Sequence, residues 1–281
     1  MTSQNTKSKN RVRRALKTVK NYTLRLSLMA ILLSFVLMSC RAYIKNETHD
    51  IVNSYDFPKE SFVLVLTTYN LSLAECSTAK GKVDCDKIEK PGEAPRFRSK
   101  GSGAVVHVSD GNSYILTAGH VCMPSKPYQI VTYKGNFLLY EITSSVSIVS
   151  YKGGKRSTSI VAVDNKNDLC VVKTAGQWAD PIEIADDLPP IGTKVYNMAA
   201  PFGIFDPGMV PLLDGYYSGY DRFGNHFFTV PVRPGSSGSP VLDPQGRIIS
   251  VIHSAHMMYE SIGLGSSLAD VKKIVNTAIQ N

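Results

Sequence analysis

A serine, a histidine and an aspartate in this sequence have the types and the order that nucleophilic catalysis requires. Ser237 lies between Gly235 and Gly238 in the segment Arg-Pro-Gly-Ser-Ser-Gly-Ser-Pro of residues 233–240. Glycines permit backbone angles that side chains forbid, so this segment is predicted to be a tight loop with one presented hydroxyl and several free N–H groups. If Ser237 is a nucleophile, the N–H groups of Gly235 and Ser237 form an oxyanion hole. An ordinary glycine- and serine-rich turn between two strands is the alternative.

His120 is the candidate general base, and Asp168 is the candidate acid that orients it. A serine hydroxyl is a weak nucleophile until a neighbouring imidazole accepts its proton. The imidazole in turn needs a carboxylate that holds the right tautomer and balances the developing charge. Asp164, four residues before Asp168, is the alternative acid. The order His, Asp, Ser, with each residue at the end of a predicted strand, favours catalysis over three unrelated structural roles.

The positive charge of the chain is confined to its N-terminus. The formal net charge is +8, but residues 1–41 contain nine Lys and Arg residues and no acid, so residues 42–281 carry −1. A domain with this balance has no excess of positive charge with which to hold phosphates. The sequence therefore predicts no nucleic-acid partner.

The basic segment 1–25 is followed by an uncharged apolar run over residues 26–40. This run is shorter than the roughly 20 residues of a membrane-spanning helix, and it is typical of the core of a secretory signal. Leu37 to Cys40 is similar to a bacterial lipoprotein cleavage box, in which Cys40 would become the lipidated first residue. Met38 departs from the small residues usual there, so a cleaved signal and an uncleaved anchor are the alternatives. All three interpretations predict a membrane-targeted, extracytoplasmic protein.

Four cysteines remain, Cys76, Cys85, Cys122 and Cys170, and they allow three pairings. Cys76 and Cys85 flank a short polar segment, which favours a local bridge in an oxidising compartment. That pairing leaves Cys122 with Cys170, each beside a candidate catalytic residue. The alternative is that Cys122 and Cys170 are unpaired and buried as small apolar side chains.

Residues 41–60 are polar and mixed, which predicts a linker, and residues 61–281 form one domain. β-Branched apolar segments separated by turn residues predict strands over 61–71, 104–108, 114–117, 128–133, 137–150, 158–163, 167–173, 191–198, 216–220, 226–230 and 246–253. Residues 72–100 are predicted to be a long polar loop. The C-terminus predicts a helix, with Ser267 and Asp270 as its capping pair. Its apolar face is Val271, Ile274, Val275 and Ala278. The pattern indicates an all-β barrel or sandwich with one C-terminal helix.

From about residue 61 to 281 the sequence resembles the trypsin-like (chymotrypsin-fold) serine proteases, with most similarity to the HtrA/Deg and glutamyl endopeptidase branches. The matching motifs are, in order, Gly-Ser-Gly (101–103), Tyr-Ile-Leu-Thr-Ala-Gly-His-Val (114–121), Asn-Asp-Leu-Cys-Val-Val-Lys (167–173), Ala-Pro-Phe-Gly (200–203), Pro-Gly-Ser-Ser-Gly-Ser-Pro (234–240) and Ile-Gly-Leu-Gly (262–265). The resemblance implies two antiparallel six-stranded β-barrels with the site between them. It also implies a serine endopeptidase that needs no cofactor and acts on protein or peptide substrates through an acyl-enzyme.

Two departures from the family pattern have consequences. Many trypsin relatives carry an aspartate before the nucleophile, where it pairs with a new N-terminus, but here that residue is Ser236. Activation by such an ion pair is therefore not expected. The chain also ends directly after the predicted helix, so no PDZ domain of the HtrA type is expected. The alternative function is a catalytically inactive protease-fold module that binds peptides or partner proteins at the membrane.

The resemblance also bears on specificity. In glutamyl endopeptidases a histidine in the strand after the nucleophile helps to bind an acidic side chain, and His253 occupies that place on the strand that contains Ser250. Val232 stands where those enzymes carry a partner hydroxyl. The implied substrate-binding residues are thus Val232, Ser250 and His253, and the alternative for His253 is a packing role. His253 and His256 have no further ligands nearby, so no metal site is predicted.

Overall fold

The computed structural model describes residues 57–92, 96–124, 126–256 and 258–280. They lie in one compact unit, Asp56–Asn281. The predicted basic segment, the apolar run with Cys40 and most of the predicted linker lie outside the described residues. Among the helices that the structure describes, none is long and apolar enough to cross a membrane.

The first half of the described chain forms an antiparallel sheet of nine strands. They are β1 (Phe62–Thr78), β2 (Gly81–Val83), β3 (Arg96–Ser109), β4 (Asn112–Ala118), β5 (Tyr128–Tyr133), β6 (Asn136–Ser150), β7 (Lys155–Ser157), β8 (Ser159–Asp164) and β9 (Leu169–Ala175). Their order is β5-β6-β1-β3-β4-β9-β8, with β2 paired to β1 and β7 paired to β6. A short helix, α1 (Gly119–Cys122), follows β4 directly.

The second half forms a closed barrel of six strands in the order β10-β11-β12-β15-β14-β13. The strands are β10 (Lys194–Met198), β11 (Leu212–Tyr220), β12 (His226–Phe228), β13 (Pro240–Leu242), β14 (Ile248–His256) and β15 (Tyr259–Gly265). The helix α2 (Leu268–Gln280) ends the described chain. The predicted fold class, all-β and chymotrypsin-like with a C-terminal helix, is confirmed.

The first half departs from the predicted six-stranded barrel, because its hydrogen bonds define an open nine-stranded sheet. β1 and β6 are 17 and 15 residues long, and they pair from Val63 to Ser77. Their extended ends carry the additional strands β2 and β5. The predicted polar loop over 72–100 was therefore partly wrong, since β1 continues to Thr78 and β3 begins at Arg96. Pairing with β6, which is distant in sequence, overrides the polar local composition.

Each half has its own apolar core. Val65, Ile115 and Ile148 are among the fully buried residues of the first, and Phe228 and Ile252 are among those of the second. Each sheet is thus packed on a core of its own, from which the strand ends that carry the candidate site residues extend.

The helix α2 forms as the sequence predicts. The Asp270 N–H donates to the Ser267 hydroxyl over 3.1 Å, and that hydroxyl donates to the Asp270 carboxylate over 2.5 Å. The apolar face of Val271, Ile274, Val275 and Ala278 is buried together with Leu268. A local cap and a 3.6-residue period are sufficient to specify this element.

Candidate active site

The pairing of β4 with β9 brings His120 and Asp168 together. In this antiparallel ladder Thr117 lies opposite Cys170, and Ala118 lies opposite Leu169. His120 therefore lies just past the end of β4, and Asp168 lies just before the start of β9. Two residues 48 positions apart in the chain become neighbours because the ends of paired strands coincide.

The Asp168 carboxylate holds His120 by both of its oxygens. Oδ2 is 2.6 Å from His120 Nδ1, and Oδ1 accepts the His120 backbone N–H over 2.7 Å. The Asp168 carbonyl also accepts the Gly119 N–H over 2.9 Å. A Cβ at Gly119 would lie 2.9 Å from Asp168 Oδ1, so the close approach requires glycine at that position. The result is an imidazole fixed at Nδ1, with its Nε2 left available.

Asp168 adopts a left-handed backbone conformation, with φ of 52°. Such a conformation is uncommon for a residue with a side chain and costs on the order of 1 kcal/mol or more. The bonds from Gly119 and His120 hold the backbone and the side chain of Asp168 in this conformation. These bonds therefore hold the carboxylate against Nδ1 of the imidazole.

The alternative acid, Asp164, has a different role. Its carboxylate accepts the N–H groups of Lys166 and Asn167 over 3.0 and 3.1 Å, and the Asn167 side-chain amide over 2.8 Å. Asp164 therefore caps the turn between β8 and β9. The carboxylate that bonds the His120 imidazole is that of Asp168, not that of Asp164.

The surroundings of Asp168 keep it ionised. Burial acts to raise the pKa of its carboxyl group, but the hydrogen bonds and charge of His120, with a smaller effect from His253, outweigh burial and lower that pKa below its ordinary value. An ionised carboxylate is the form that stabilises a protonated imidazole.

The segment that carries His120 is held in place by two hydrogen bonds from β1 and by a disulfide to β9. The Tyr69 hydroxyl donates to the His120 carbonyl over 3.0 Å, and the buried Thr67 hydroxyl donates to the Val121 carbonyl over 2.5 Å. The disulfide between Cys122 and Cys170 joins α1 to β9, while the second disulfide joins Cys76 to Cys85. The structure thus contains the local pairing that the sequence analysis favours, and it bridges Cys122 and Cys170, which the sequence analysis left open.

Ser237 lies in a loop in which two positions, Gly235 and Gly238, require glycine. Gly235 and Gly238 have φ of 98° and 86°. A Cβ at Gly235 would lie 2.4 Å from the Ala200 carbonyl oxygen, and a Cβ at Gly238 would lie 2.1 Å from the Ser102 carbonyl oxygen. The glycines allow the loop to pack directly on backbone from both halves of the molecule.

Only one of the three serines in this loop is open to the cleft. Ser236 and Ser239 are fully buried, and their hydroxyls accept hydrogen bonds from the Arg233 N–H and the Asn197 side-chain amide. Ser237 is partly exposed and lines a cavity of about 460 Å³ that His120 also lines. The structure therefore brings together the three residues that the sequence predicts to act in catalysis.

The backbone around Gly235 is arranged as a hydrogen-bond donor site. The Pro234 carbonyl accepts the Phe202 N–H over 2.6 Å, which fixes the plane of the Pro234–Gly235 peptide. In a trans peptide the N–H points away from the carbonyl, so the Gly235 N–H points away from Phe202. Within the described residues neither the Gly235 N–H nor the Ser237 N–H donates a hydrogen bond. These are the two donors predicted for an oxyanion hole.

Sequence reasoning did not assign a role to Ser102, which joins the two halves behind the site. Its N–H donates to the Ser237 carbonyl and its hydroxyl donates to the Gly235 carbonyl, each over 2.8 Å. The same hydroxyl accepts the Ala200 N–H over 2.9 Å. The Gly-Ser-Gly motif at 101–103 was the available signal, but its partners lie about 100 to 135 residues away in the chain.

Two of the three residues predicted to bind substrate are core residues instead. Ser250 is fully buried and donates its hydroxyl to the Ser266 carbonyl over 2.7 Å. Val232 is only 5% exposed and packs in the core of the second barrel. Both assignments are corrected, because these side chains are enclosed by the packing of β14, β15 and the segment before the loop.

His253 lies close enough to His120 and Asp168 to interact with their charges. Its ring is partly exposed, and its Nδ1 is 3.0 Å from the Ser254 hydroxyl. Burial lowers the pKa of His253, and the charge of His120 acts in the same direction, whereas Asp168 and the Gly265 backbone oppose them. His253 therefore interacts with the His120–Asp168 pair, but it does not line the cavity that contains Ser237.

Among the described residues, no group of three or more His, Cys, Asp or Glu side chains could hold a metal ion.

Comparisons with known proteins identify the family of this chain. The model of the trypsin-like peptidase domain family matches residues 101–251. "Serine protease Do-like HtrB" of Bacillus subtilis (strain 168) is 23% identical over 196 residues, which cover 64% of this chain and 38% of that protein. The chain thus spans about two fifths of the length of this curated relative.

Solved structures of low identity share the fold. A serine endoprotease from Yersinia pestis matches with a TM-score of 0.54 and 20% identity, over 80% of this chain and 64% of that one. The HtrA-type protease AlgW, solved with a decapeptide, matches with a TM-score of 0.57 and 17% identity, over 82% of this chain and 67% of that one.

The fold and the arrangement of His120, Asp168 and Ser237 define the chymotrypsin-like class of proteins. Because the family model covers more than half of the sequence, the chain belongs to the trypsin-like peptidase domain family.

Proposed function

We propose that this protein is a serine endopeptidase that hydrolyses protein or peptide substrates through an acyl-enzyme. The observation that carries the proposal is that three features line one cavity: an Asp168-bound imidazole, a partly exposed Ser237, and the residues Gly235 and Ser237, whose N–H groups donate to no described residue. Each feature corresponds to one requirement of acyl transfer.

In the proposed mechanism, Ser237 Oγ attacks the carbonyl carbon of the scissile peptide while His120 Nε2 accepts the hydroxyl proton. Asp168 holds Nδ1 and stabilises the imidazolium that forms. The oxyanion accepts hydrogen bonds from the N–H groups of Gly235 and Ser237. His120 then donates its proton to the leaving amine, which departs as the acyl-enzyme forms.

Deacylation repeats these steps with water as the nucleophile. His120 accepts a proton from the water, and the resulting hydroxide attacks the acyl carbon within the same donor site. Collapse of the second tetrahedral intermediate returns the proton to Ser237 and releases the carboxylic acid product. Atoms and protons balance without any cofactor.

Peptide cleavage by purified protein tests the proposal. The parent protein is incubated with a peptide library, cleavage is followed by mass spectrometry, and Ser237→Ala and His120→Ala are assayed in parallel. Both variants are expected to lose at least a thousandfold in kcat/KM. Ser239→Ala is the matched control, because its hydroxyl is buried against Asn197. Cleavage that persists in Ser237→Ala would instead support a binding module with a contaminating protease.

The N-terminal sequence supports an extracytoplasmic, membrane-associated location for this activity. Nine cationic residues and no acids occur in residues 1–41, around the uncharged apolar run 26–40. Fractionation of cells that express the full chain tests the location. Protein in the membrane fraction that moves to the soluble fraction in Cys40→Ser supports lipidation at Cys40. Recovery of the parent protein from the cytosol would refute the proposed location.

A further inference from the structure

One edge of β3 is free beside the candidate active site. Residues Arg96 to Gly103 pair with β1 on one side, whereas the pairing of β3 with β4 begins only at Ala104. The outward backbone groups of Ser102 bond Ser237 and Thr117, so the free part of this edge is 96–101. No other described strand pairs with this part of β3. A free strand edge offers unpaired N–H and C=O groups to an extended chain.

The register of β3 defines which groups face this edge. The Ser102 N–H donates to Ser237 and its carbonyl accepts the Thr117 hydroxyl, so both groups point away from β1. In an antiparallel ladder this orientation recurs at every second residue, and the β1–β3 register is unbroken. The backbone groups of Lys100 and Arg98 therefore also point away from β1, toward the free edge.

The side chains of Arg98 and Lys100 lie on the same face of β3, because side chains alternate along a strand. Both residues are exposed and line the cavity that contains His120 and Ser237. A Cβ at Gly203 would lie 2.5 Å from Lys100 Cδ and 3.0 Å from its Nζ, so the Lys100 side chain lies along the turn beside the oxyanion donors. The two cations thus line the wall of the candidate cleft.

Neither cation is neutralised by a described residue. The ion pairs within the described residues involve other cations, namely Lys82, Lys90, His120, Lys134, Lys152, Lys194 and Arg247. On the neighbouring strand, Arg98 lies opposite Thr68 and Lys100 lies opposite Leu66. The next strand presents Ser145 and Ser147 beside them. On these two strands the described neighbours of the two positive charges are thus uncharged, which leaves both charges available to a ligand.

We propose that Arg98 and Lys100 select substrates whose extended chain, lying along this β3 edge, carries acidic side chains at two positions two residues apart. A substrate strand on this edge places alternate side chains on the face that carries the two cations, where opposite charges on adjacent strands attract. This inference rests on the proposed endopeptidase function. It assigns the acidic preference to Arg98 and Lys100, whereas the sequence resemblance places it at His253.

Matched fluorogenic peptides test this inference. A sequence cleaved by the parent protein is varied to carry Glu, Gln or Lys at each position on both sides of the cleaved bond. We expect Glu to raise kcat/KM over Gln by about fivefold at two positions, two residues apart and on the same side. The effect is expected to decrease in 0.5 M NaCl, because exposed charges are screened.

The variants Arg98→Gln, Lys100→Gln and the charge-reversed Arg98→Glu identify the residues responsible. The Gln variants are expected to bring the Glu-to-Gln ratio near unity at one position each, and Arg98→Glu is expected to favour Lys. Lys155→Glu, on the exposed strand β7, makes the same change in net charge as Arg98→Glu at a site outside the cavity and is expected to retain the ratio.

Three outcomes overturn the inference, and they distinguish failure of the edge site from failure of the proposed function. A parent protein that reacts with a fluorophosphonate but cleaves Glu and Gln peptides equally refutes the edge site alone. The same holds if His253→Ala abolishes an acidic preference that the Arg98 and Lys100 variants keep. A parent protein that neither reacts nor cleaves refutes the proposed function and the edge site with it.

Discussion

At the residue scale, the candidate site depends on the Asp168 carboxylate. It holds His120 at both Nδ1 and the backbone N–H, and it does so from a left-handed backbone conformation that Gly119 makes possible. A carboxylate held by two bonds leaves the imidazole one tautomer and one orientation. The geometry therefore assigns Asp168 a positioning and charge-balancing role rather than a proton-transfer role.

Asp168→Asn tests this role. An amide at this position offers an N–H to Nδ1 and favours the wrong tautomer, so kcat is expected to fall roughly a thousandfold or more. The measurement is kcat and KM on a cleaved peptide. Asp164→Asn is the control, because it removes only the turn cap and is expected to keep kcat. Activity of Asp168→Asn within tenfold of the parent protein would contradict the assignment.

The residues of the site differ in how far the sequence predicts them. His120, Asp168 and Ser237 were recognisable because each lies in a short motif with a chemical requirement. The choice of Asp168 over Asp164 needed the β4–β9 register, which brings strand ends together across 48 residues. The role of Ser102 was not predictable, since its partners Ser237, Gly235 and Ala200 belong to two distant segments.

At the element scale, the loop 233–239 and the turn 200–203 act together. The Phe202 N–H holds the Pro234 carbonyl, and the Gly235 N–H consequently points away from the turn. The oxyanion donors are thus preorganised by a backbone contact between two loops. Preorganised donors stabilise a developing charge without reorganisation during the reaction.

Gly235→Ala tests the preorganised loop. The added Cβ would lie 2.4 Å from the Ala200 carbonyl at a φ of 98°, so the peptide must rotate and the donor is lost. We expect kcat to fall by about 100- to 1000-fold with little change in KM. Gly246→Ala is the matched control, because it has a φ of 80° but its nearest atom is 3.5 Å away. A similar loss of kcat in both variants would refute the role of the Ala200 contact.

The two disulfides provide a second test at this scale. The Cys122–Cys170 bridge closes 48 residues and the Cys76–Cys85 bridge closes 9. From chain entropy, removing them is expected to cost about 4 and about 3 kcal/mol of unfolding free energy, respectively. The double variants Cys122→Ala/Cys170→Ala and Cys76→Ala/Cys85→Ala are compared by urea denaturation and by kcat. Only the first is expected to lower kcat, because only that bridge joins the His120 and Asp168 segments.

At the scale of the whole molecule, some features of the fold follow from local sequence signals and others from pairing between distant segments. The sequence predicts α2, most strands and the all-β class because caps, periodicity and turns are local signals. It did not predict that β1 and β6 extend far beyond a barrel strand, or that the first half is an open nine-stranded sheet. Those features depend on pairing between segments about 60 to 90 residues apart, where cross-strand contacts override local polarity.

Stability of the folded molecule is expected to fall as the pH decreases from 7 to 5. Burial lowers the pKa of His226 and of His253 below the unfolded value of about 6.5. A histidine with a depressed folded pKa binds fewer protons in the folded than in the unfolded state. Its contribution to stability is therefore complete above about pH 6.5 and is lost as the pH falls through the folded pKa.

His226→Gln tests this pH dependence, because the His226 ring is buried beside Tyr217 in the second barrel. The slope of Tm against pH between 7 and 5 is expected to be smaller in this variant than in the parent protein. Tyr217→Phe removes the partner hydroxyl but keeps the imidazole, so it is expected to lower Tm and retain the slope. An unchanged slope in His226→Gln would contradict the assignment.

The central claim is that Ser237 is a nucleophile activated by His120, and covalent labelling tests it most directly. The folded full-length protein is treated with a fluorophosphonate, its intact mass is measured, and the adduct is mapped by peptide sequencing. We expect a single adduct on Ser237 in the parent protein, and none at that position in Ser237→Ala or His120→Ala. An unlabelled parent protein, or an adduct on another residue that persists in Ser237→Ala, would contradict the claim.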